Sequence, residues 1–145
     1  DKKMQKRSAF TDELAVMLGG HSAEMEIYGE VTTGPHNDLK RATQLARAMI
    51  VEYGMSDLFP PRTFGERADM IFLGKDIHEN RDYSEKIAEQ IDSEINKLID
   101  DAQKVSKTII KENRDKLDKI VDVLMEKETI EKDDWTKLMG EKVKA

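Results

Sequence analysis

Cysteine is absent from the 145 residues. That excludes a disulfide framework, a thiolate metal site and a cysteine nucleophile, and it fits a reducing compartment. Aromatic residues make up only 6% of the chain, too few for a β-sandwich whose core rests on aromatic and β-branched side chains. Apolar runs extend over a few residues only, far short of the ~20 needed to cross a bilayer. No signal peptide is visible, and the chain as it stands is expected to be soluble. Charge of one sign is not segregated either. The 24 basic residues are interspersed with 30 acidic ones, for a net charge of −6. No basic face emerges, so nucleic acid is not expected as a partner.

What is present suits amphipathic helices: 38% hydrophobic and 37% charged residues. The sequence predicts a mainly α fold, a helical bundle of about five helices with one small β-hairpin near 63–73. The first helix is expected from Thr11 to Tyr28, with Thr11 as N-cap, Asp12 and Glu13 in the first turn and Gly29 just past the end. Its apolar set is Leu14, Val16, Met17, Leu18, Ala23 and Ile27. Gly19-Gly20 in its middle marks a close approach or a kink, because each glycine costs roughly 1 kcal/mol in a helix interior.

A second helix is expected from Asp38 to Tyr53, with Leu39, Ala42, Leu45, Ala46, Met49, Ile50 and Tyr53 spaced by three and four and Gly54 ending it. Pro60-Pro61 forbids helix in the next stretch. A long helix follows from Tyr83 to Glu112, opened by Asp82 and Glu85 in the manner of a capping box. Ile87, Ile91, Leu98, Ala102, Val105 and Ile109 form its near-heptad stripe, widened by Ile95 and Ile99. Asn113 is the expected cap of a fourth helix over 114–127, and a shorter fifth over 131–139 carries Trp135 and Leu138. The pattern divides the chain into residues 1–60, a connector at 61–80 and a C-terminal helical part at 81–145.

Most apolar positions are absorbed by core packing, so chemistry must come from three histidines and the carboxylates. His21, His36 and His78 have no spacing that makes a local metal site, and H-E-x-x-H, P-loop and G-x-S-x-G patterns are all missing. Two carboxylates remain of interest. Asp38 lies at a helix start behind the Gly34-Pro35 turn in "VTTGPHNDLKRAT". There it either caps the helix, as Asn37 also could, or, held ionised by the helix dipole, ligates a divalent metal. Glu24 shares a helix side with His21 three residues earlier, and is either a surface residue or a support to a site.

The run "LAVMLGGHSAEMEIYGEVTTGPHNDLKRATQLARAMIVEYGMSD" resembles the C-terminal peptidase region of the FtsH family, membrane-anchored ATP-dependent zinc metalloproteases of the AAA class. The resemblance continues through "RTFGE", "IFLGKDI", "YSEKIAEQIDSEI" and "KETIEK". It implies one zinc per complete domain, held by two histidines of an H-E-x-x-H helix and by an aspartate whose place Asp38 takes in "TTGPHNDL". It implies that Glu24, in "GGHSAE", hydrogen-bonds a zinc-bound histidine and so orients it. No residue of this chain matches the catalytic glutamate, so none here is expected to be catalytic and the fragment alone is expected to be inactive.

By the same resemblance, the parent uses ATP through a module outside these residues and degrades unfolded or membrane polypeptides. It assembles as a homo-hexamer on the cytoplasmic face of the bacterial inner membrane, or an organellar equivalent, through an N-terminal anchor also outside them. Pro35-His36 stand where the family has small residues, with His36 expected as a solvent-exposed loop residue, the alternative being an adventitious imidazole near the metal. A non-catalytic helical assembly module of an inactive homologue is the alternative; a standalone helix-binding adaptor is a further one.

Overall fold

The structure, a computed structural model, describes residues 4–67 and 79–127. The fold is mainly helical. In chain order it comprises α1 (Arg7–Met17), α2 (Gly19–Tyr28), α3 (His36–Val51), a two-residue strand β1 (Glu66–Arg67), its partner β2 (Glu79–Asn80), α4 (Glu85–Glu112) and α5 (Arg114–Lys127). The expected short helix at 131–139, with Trp135 and Leu138, lies outside the described residues, as does His78.

The first expected helix is two. α1 ends at Met17 and α2 starts at Gly19, with Leu18 between them at φ −85 and ψ 0. Its N–H still donates to the Leu14 carbonyl at 3.1 Å and its carbonyl accepts the Ser22 N–H at 3.0 Å, so the break is a local kink. Gly19-Gly20 therefore marks a break at the start of α2. Thr11 does not cap either helix. α1 already starts at Arg7, and the Thr11 hydroxyl donates to the Ser8 carbonyl at 2.9 Å inside it. The far end was legible: Gly29 terminates α2 in the left-handed region at φ 74, a conformation that glycine adopts without a Cβ clash.

The 28-residue α4 is the spine. At 1.5 Å per residue it is about 42 Å long, and α1, α2 and α3 all pack against it. Its core line is Ile91, Ile95, Leu98 and Ala102, clustered with Leu14 and Ala15 of α1, Leu18 just after it, and Ala42, Ala46, Met49, Ile50 and Val51 of α3. Alanines at 42, 46 and 102 keep side chains short where helices meet, which permits close approach. The expected near-heptad stripe drifts off this line. Val105 and Ile109 are each 51% exposed, and Ser106 takes the buried position instead. A straight helix turns at 3.6 residues, so a 3.5-residue stripe rotates away from a fixed neighbour along its length. Val16, expected in the core, is 79% exposed, because the side of α1 turned to the body is the one that carries Leu14 and Ala15 and is continued by Leu18.

The connector is fastened at both ends. Phe64 is buried, donates its N–H to the Val51 carbonyl at 2.9 Å, and packs edge-on against Phe59 and Tyr83. The Arg62 guanidinium lies 4.2 Å over its ring. Of the hairpin expected near 63–73, residues 68–73 lie outside the described residues; among the described ones Glu66 pairs antiparallel with Asn80 and Arg67 with Glu79. Asp82 is not the cap of α4. Ser84 is, accepting the Ile87 N–H at 3.1 Å, while Asp82 accepts the Gly65 N–H at 2.7 Å across the base of this connector. Asn113 serves both helices: its side-chain amide donates to the Ile109 carbonyl at 2.8 Å at the end of α4, and its own carbonyl accepts the Leu117 N–H at 3.0 Å at the start of α5, the position expected of it. Among the described residues no helix is long and apolar enough to cross a membrane.

Two stability outcomes follow from this packing. Leu14→Ala, at a side chain with no solvent exposure, is expected to cost about 3 kcal/mol in denaturant-induced unfolding. Ser22 is buried with its hydroxyl unpartnered, so Ser22→Ala is expected to raise stability by about 1 kcal/mol in the same measurement.

Candidate functional site

The site is built on the turn between α2 and α3. Gly29 reverses the chain, and residues 30–35 run back along the α2 face that carries Glu24. Glu24 accepts two hydrogen bonds from one residue: the Thr32 backbone N–H reaches Oε1 at 2.8 Å and the Thr32 hydroxyl reaches Oε2 at 2.7 Å. The same hydroxyl oxygen accepts the Gly34 N–H at 3.0 Å. Thr32 thus uses both its donor and its acceptor capacity, and the carboxylate is held from two sides. Glu24 is accordingly kept below its ordinary value of 4.5. The main cause is the Thr32 backbone N–H, then the Thr32 hydroxyl, with partial burial opposing and the positive form of His21 helping.

Gly34 fits where a side chain would crowd. A Cβ there would stand 3.2 Å from Thr32 Oγ1 and 3.4 Å from Glu24 Oε2. The next residue, Pro35, is buried. It lies against Gly20, where an added Cβ would sit 3.8 Å from the proline ring. One glycine thus gives the loop room beside the carboxylate and another faces it from the start of α2.

Helix α3 then begins. Its cap position is Pro35, which has no side-chain acceptor, so neither Asn37 nor Asp38 occupies it. The His36 N–H donates to the Thr33 carbonyl at 3.1 Å and the Leu39 N–H to the Pro35 carbonyl at 3.0 Å. Asp38 falls in the first turn, where the helix dipole favours a negative charge. Its carboxylate is 47% exposed and its ion-pair partner is Arg41, one turn on, at 3.5 Å, a loose surface contact of small energy. His36 is exposed beside it.

Zinc sites need three or four converging donors. No group of three or more His, Cys, Asp and Glu that could hold a metal occurs among the described residues. His21 and His36 are not drawn into such a group with Asp38. The donor set fits one oxygen ligand of a zinc centre, and not a whole one. Sequence reasoning singled out Glu24 and Asp38 but missed Thr32 and Gly34, which tie Glu24 to the turn ahead of α3. The pair of threonines ahead of a Gly-Pro turn was the available signal.

Residues 1–138 match the family model for Peptidase family M41, and the chain belongs to that family. It is 46% identical over 131 residues to the ATP-dependent zinc metalloprotease FtsH 1 of Sphaerobacter thermophilus, covering 90% of this chain and 20% of that protein. The ATP-dependent zinc metalloprotease FtsH of Thermotoga maritima is 41% identical over 141 residues, covering 97% and 23%. That of Bacillus subtilis is 42% identical over 132 residues, covering 90% and 21%. The expected relationship to the FtsH peptidase region is therefore shown, and the chain spans about a fifth of the length of these relatives.

The held carboxylate makes a titration outcome. A group whose folded pKa is depressed contributes stability above its unfolded value, and that contribution is lost as pH falls through the folded value. The Glu24–Thr32 link is therefore expected to loosen only as pH falls through that depressed value, below the ordinary 4.5, where Glu24 protonates in the folded protein. In carbon-detected NMR of the side-chain carboxyl, Thr32→Val is expected to move the Glu24 pKa up towards its ordinary value, because the hydroxyl bond is gone and the backbone one remains. An unmoved titration would contradict the link.

Proposed function

We propose that this chain is the C-terminal part of an ATP-dependent zinc metalloprotease that degrades unfolded or membrane polypeptides. Within it, residues 1–60 form the metal-site side, 61–80 the connector and 81–145 the C-terminal helical part. Asp38 is the third protein ligand of one zinc per complete domain. The observation that carries this reading is the Asp38 carboxylate itself: half-exposed, in the first turn of α3, behind a hydrogen-bonded loop, and not used as a helix cap.

The two histidine ligands and the general base belong to an H-E-x-x-H helix, a pattern these 145 residues do not contain. When bound, zinc would polarise a peptide carbonyl and lower the pKa of a coordinated water to about 7. This chain's own residues hold and orient. Asp38 offers a carboxylate oxygen, and Glu24 sits next to the loop that leads into its helix. Each Glu24 oxygen keeps a second lone-pair direction beyond its Thr32 bond, so accepting an imidazole N–H from a zinc-bound histidine is compatible with the geometry. ATP is used by a module elsewhere in the parent, which assembles as a homo-hexamer and reaches the membrane by its own anchor on the cytoplasmic or equivalent side. The helical body supplies ring-assembly surface.

Zinc content per chain in the full-length protein tests this, compared between the natural sequence and Asp38→Asn. About one zinc in the first and a small fraction in the second is the expected outcome. Equal zinc in both would remove Asp38 from the ligand set. No zinc in either would favour a non-catalytic helical assembly module.

A further inference from the structure

We propose that Thr32 is a positioning residue for the metal centre: by bridging Glu24 to Gly34 it presets the loop that presents Asp38, and so sets zinc affinity without touching zinc. The proposal rests on the reading of Asp38 as a ligand. Three observations carry it. First, Thr32 joins α2 to the loop through two bonds to one carboxylate, at 2.8 and 2.7 Å, and its hydroxyl also receives the Gly34 N–H at 3.0 Å. Second, Gly34 has no left-handed backbone that would require glycine. What its lack of a side chain spares is contact with the two oxygens of the bridge, at 3.2 and 3.4 Å. Third, the chain from Gly34 to Asp38 has little slack. Pro35 is buried at the turn, and the His36 and Leu39 N–H groups are bonded to the carbonyls of Thr33 and Pro35.

A ligand in the first turn of a helix whose preceding loop is already ordered loses less freedom on binding, so the bound state is favoured by the order made in advance. Glu24 acquires a second role on this account. Its carboxylate acts on the aspartate side of the centre, through Thr32, whatever it does towards a histidine. Isosteric Thr32→Val removes the hydroxyl's donor and acceptor while keeping shape; Thr32→Ser keeps both.

The test is the zinc dissociation constant of the full-length protein, measured by competition with a chelator of known affinity. The proteins compared are the natural sequence, Thr32→Val, Thr32→Ser, Gly34→Ala and Asp38→Asn. Partners of metal ligands typically account for 10–100-fold in affinity, and at this partly exposed loop a rise of about tenfold is expected for Thr32→Val. Thr32→Ser is expected to stay within about twofold, a rescue that a purely space-filling role would not produce. Gly34→Ala crowds the bridge without deleting a bond and is expected to raise the constant as well, which keeps the test open if Thr32→Val does not fold. If Asp38→Asn weakens zinc while Thr32→Val and Gly34→Ala bind as the natural protein does, the positioning role is overturned and Asp38 stands. If Asp38→Asn also binds as the natural protein does, the ligand reading falls and takes the proposal with it.

Discussion

Everything in this fold depends on one helix being covered along one side. α4 buries Ile91, Ile95, Leu98 and Ala102 against residues from α1 and α3, while α2 also packs on it. An amphipathic helix of this length gains its stability from that tertiary burial rather than from its own propensity. The three short N-terminal helices have the same need from the opposite direction. None has enough apolar surface to stand alone, and Leu14, Met49 and Ile50 are fully buried only because the spine and its neighbours close over them.

That packing explains how a surface loop can be well defined. α2 and α3 are both fixed in the body, so the six residues between Gly29 and His36 must span a set distance. The backbone polar groups of such a loop need partners. Thr32 and Gly34 find them in the Glu24 carboxylate and in each other, and Pro35 enters the body beside Gly20. The order at the start of α3 thus descends from the core through α2, Glu24 and Thr32 to the turn that bears Asp38. On the proposed reading of Asp38 as a zinc ligand, that order has a purpose, since a ligand carboxylate is most effective when its approach is arranged beforehand.

Electrostatics plays a narrower part. Most ion pairs here are exposed i, i+3 or i, i+4 contacts of little energy, as between Lys104 and Asp100. Arg114 differs, because it joins elements far apart in sequence. It donates to the Glu26 carbonyl at 3.0 Å and the Glu26 carboxylate at 3.1 Å, and also holds Asp118. It thereby satisfies a carbonyl near the end of α2 and ties the first turn of α5 to it. The C-terminal helix is in this way linked to the element that carries Glu24.

The sequence by itself determined the helical class, the region of each helix down to 127, the chain reversal at Gly29 and the interest of Glu24 and Asp38. Those signals are local: periodicity along a helix, a glycine that alone tolerates φ 74, and a carboxylate near a helix start. The tertiary structure decided what depends on partners distant in sequence. Thr11 looked like a cap until Arg7–Ala9 joined the helix ahead of it, and Asp82 looked like one until Gly65, seventeen residues away, claimed its carboxylate and left Ser84 to cap. Val105 and Ile109 match a heptad by spacing, yet which side of a helix is buried is set by the neighbour it meets. The Glu24–Thr32 bridge belongs to the same kind. A glutamate on a helix gives no sign of which loop residue its oxygens will hold, because that choice is made only when the chain has turned and packed back upon itself.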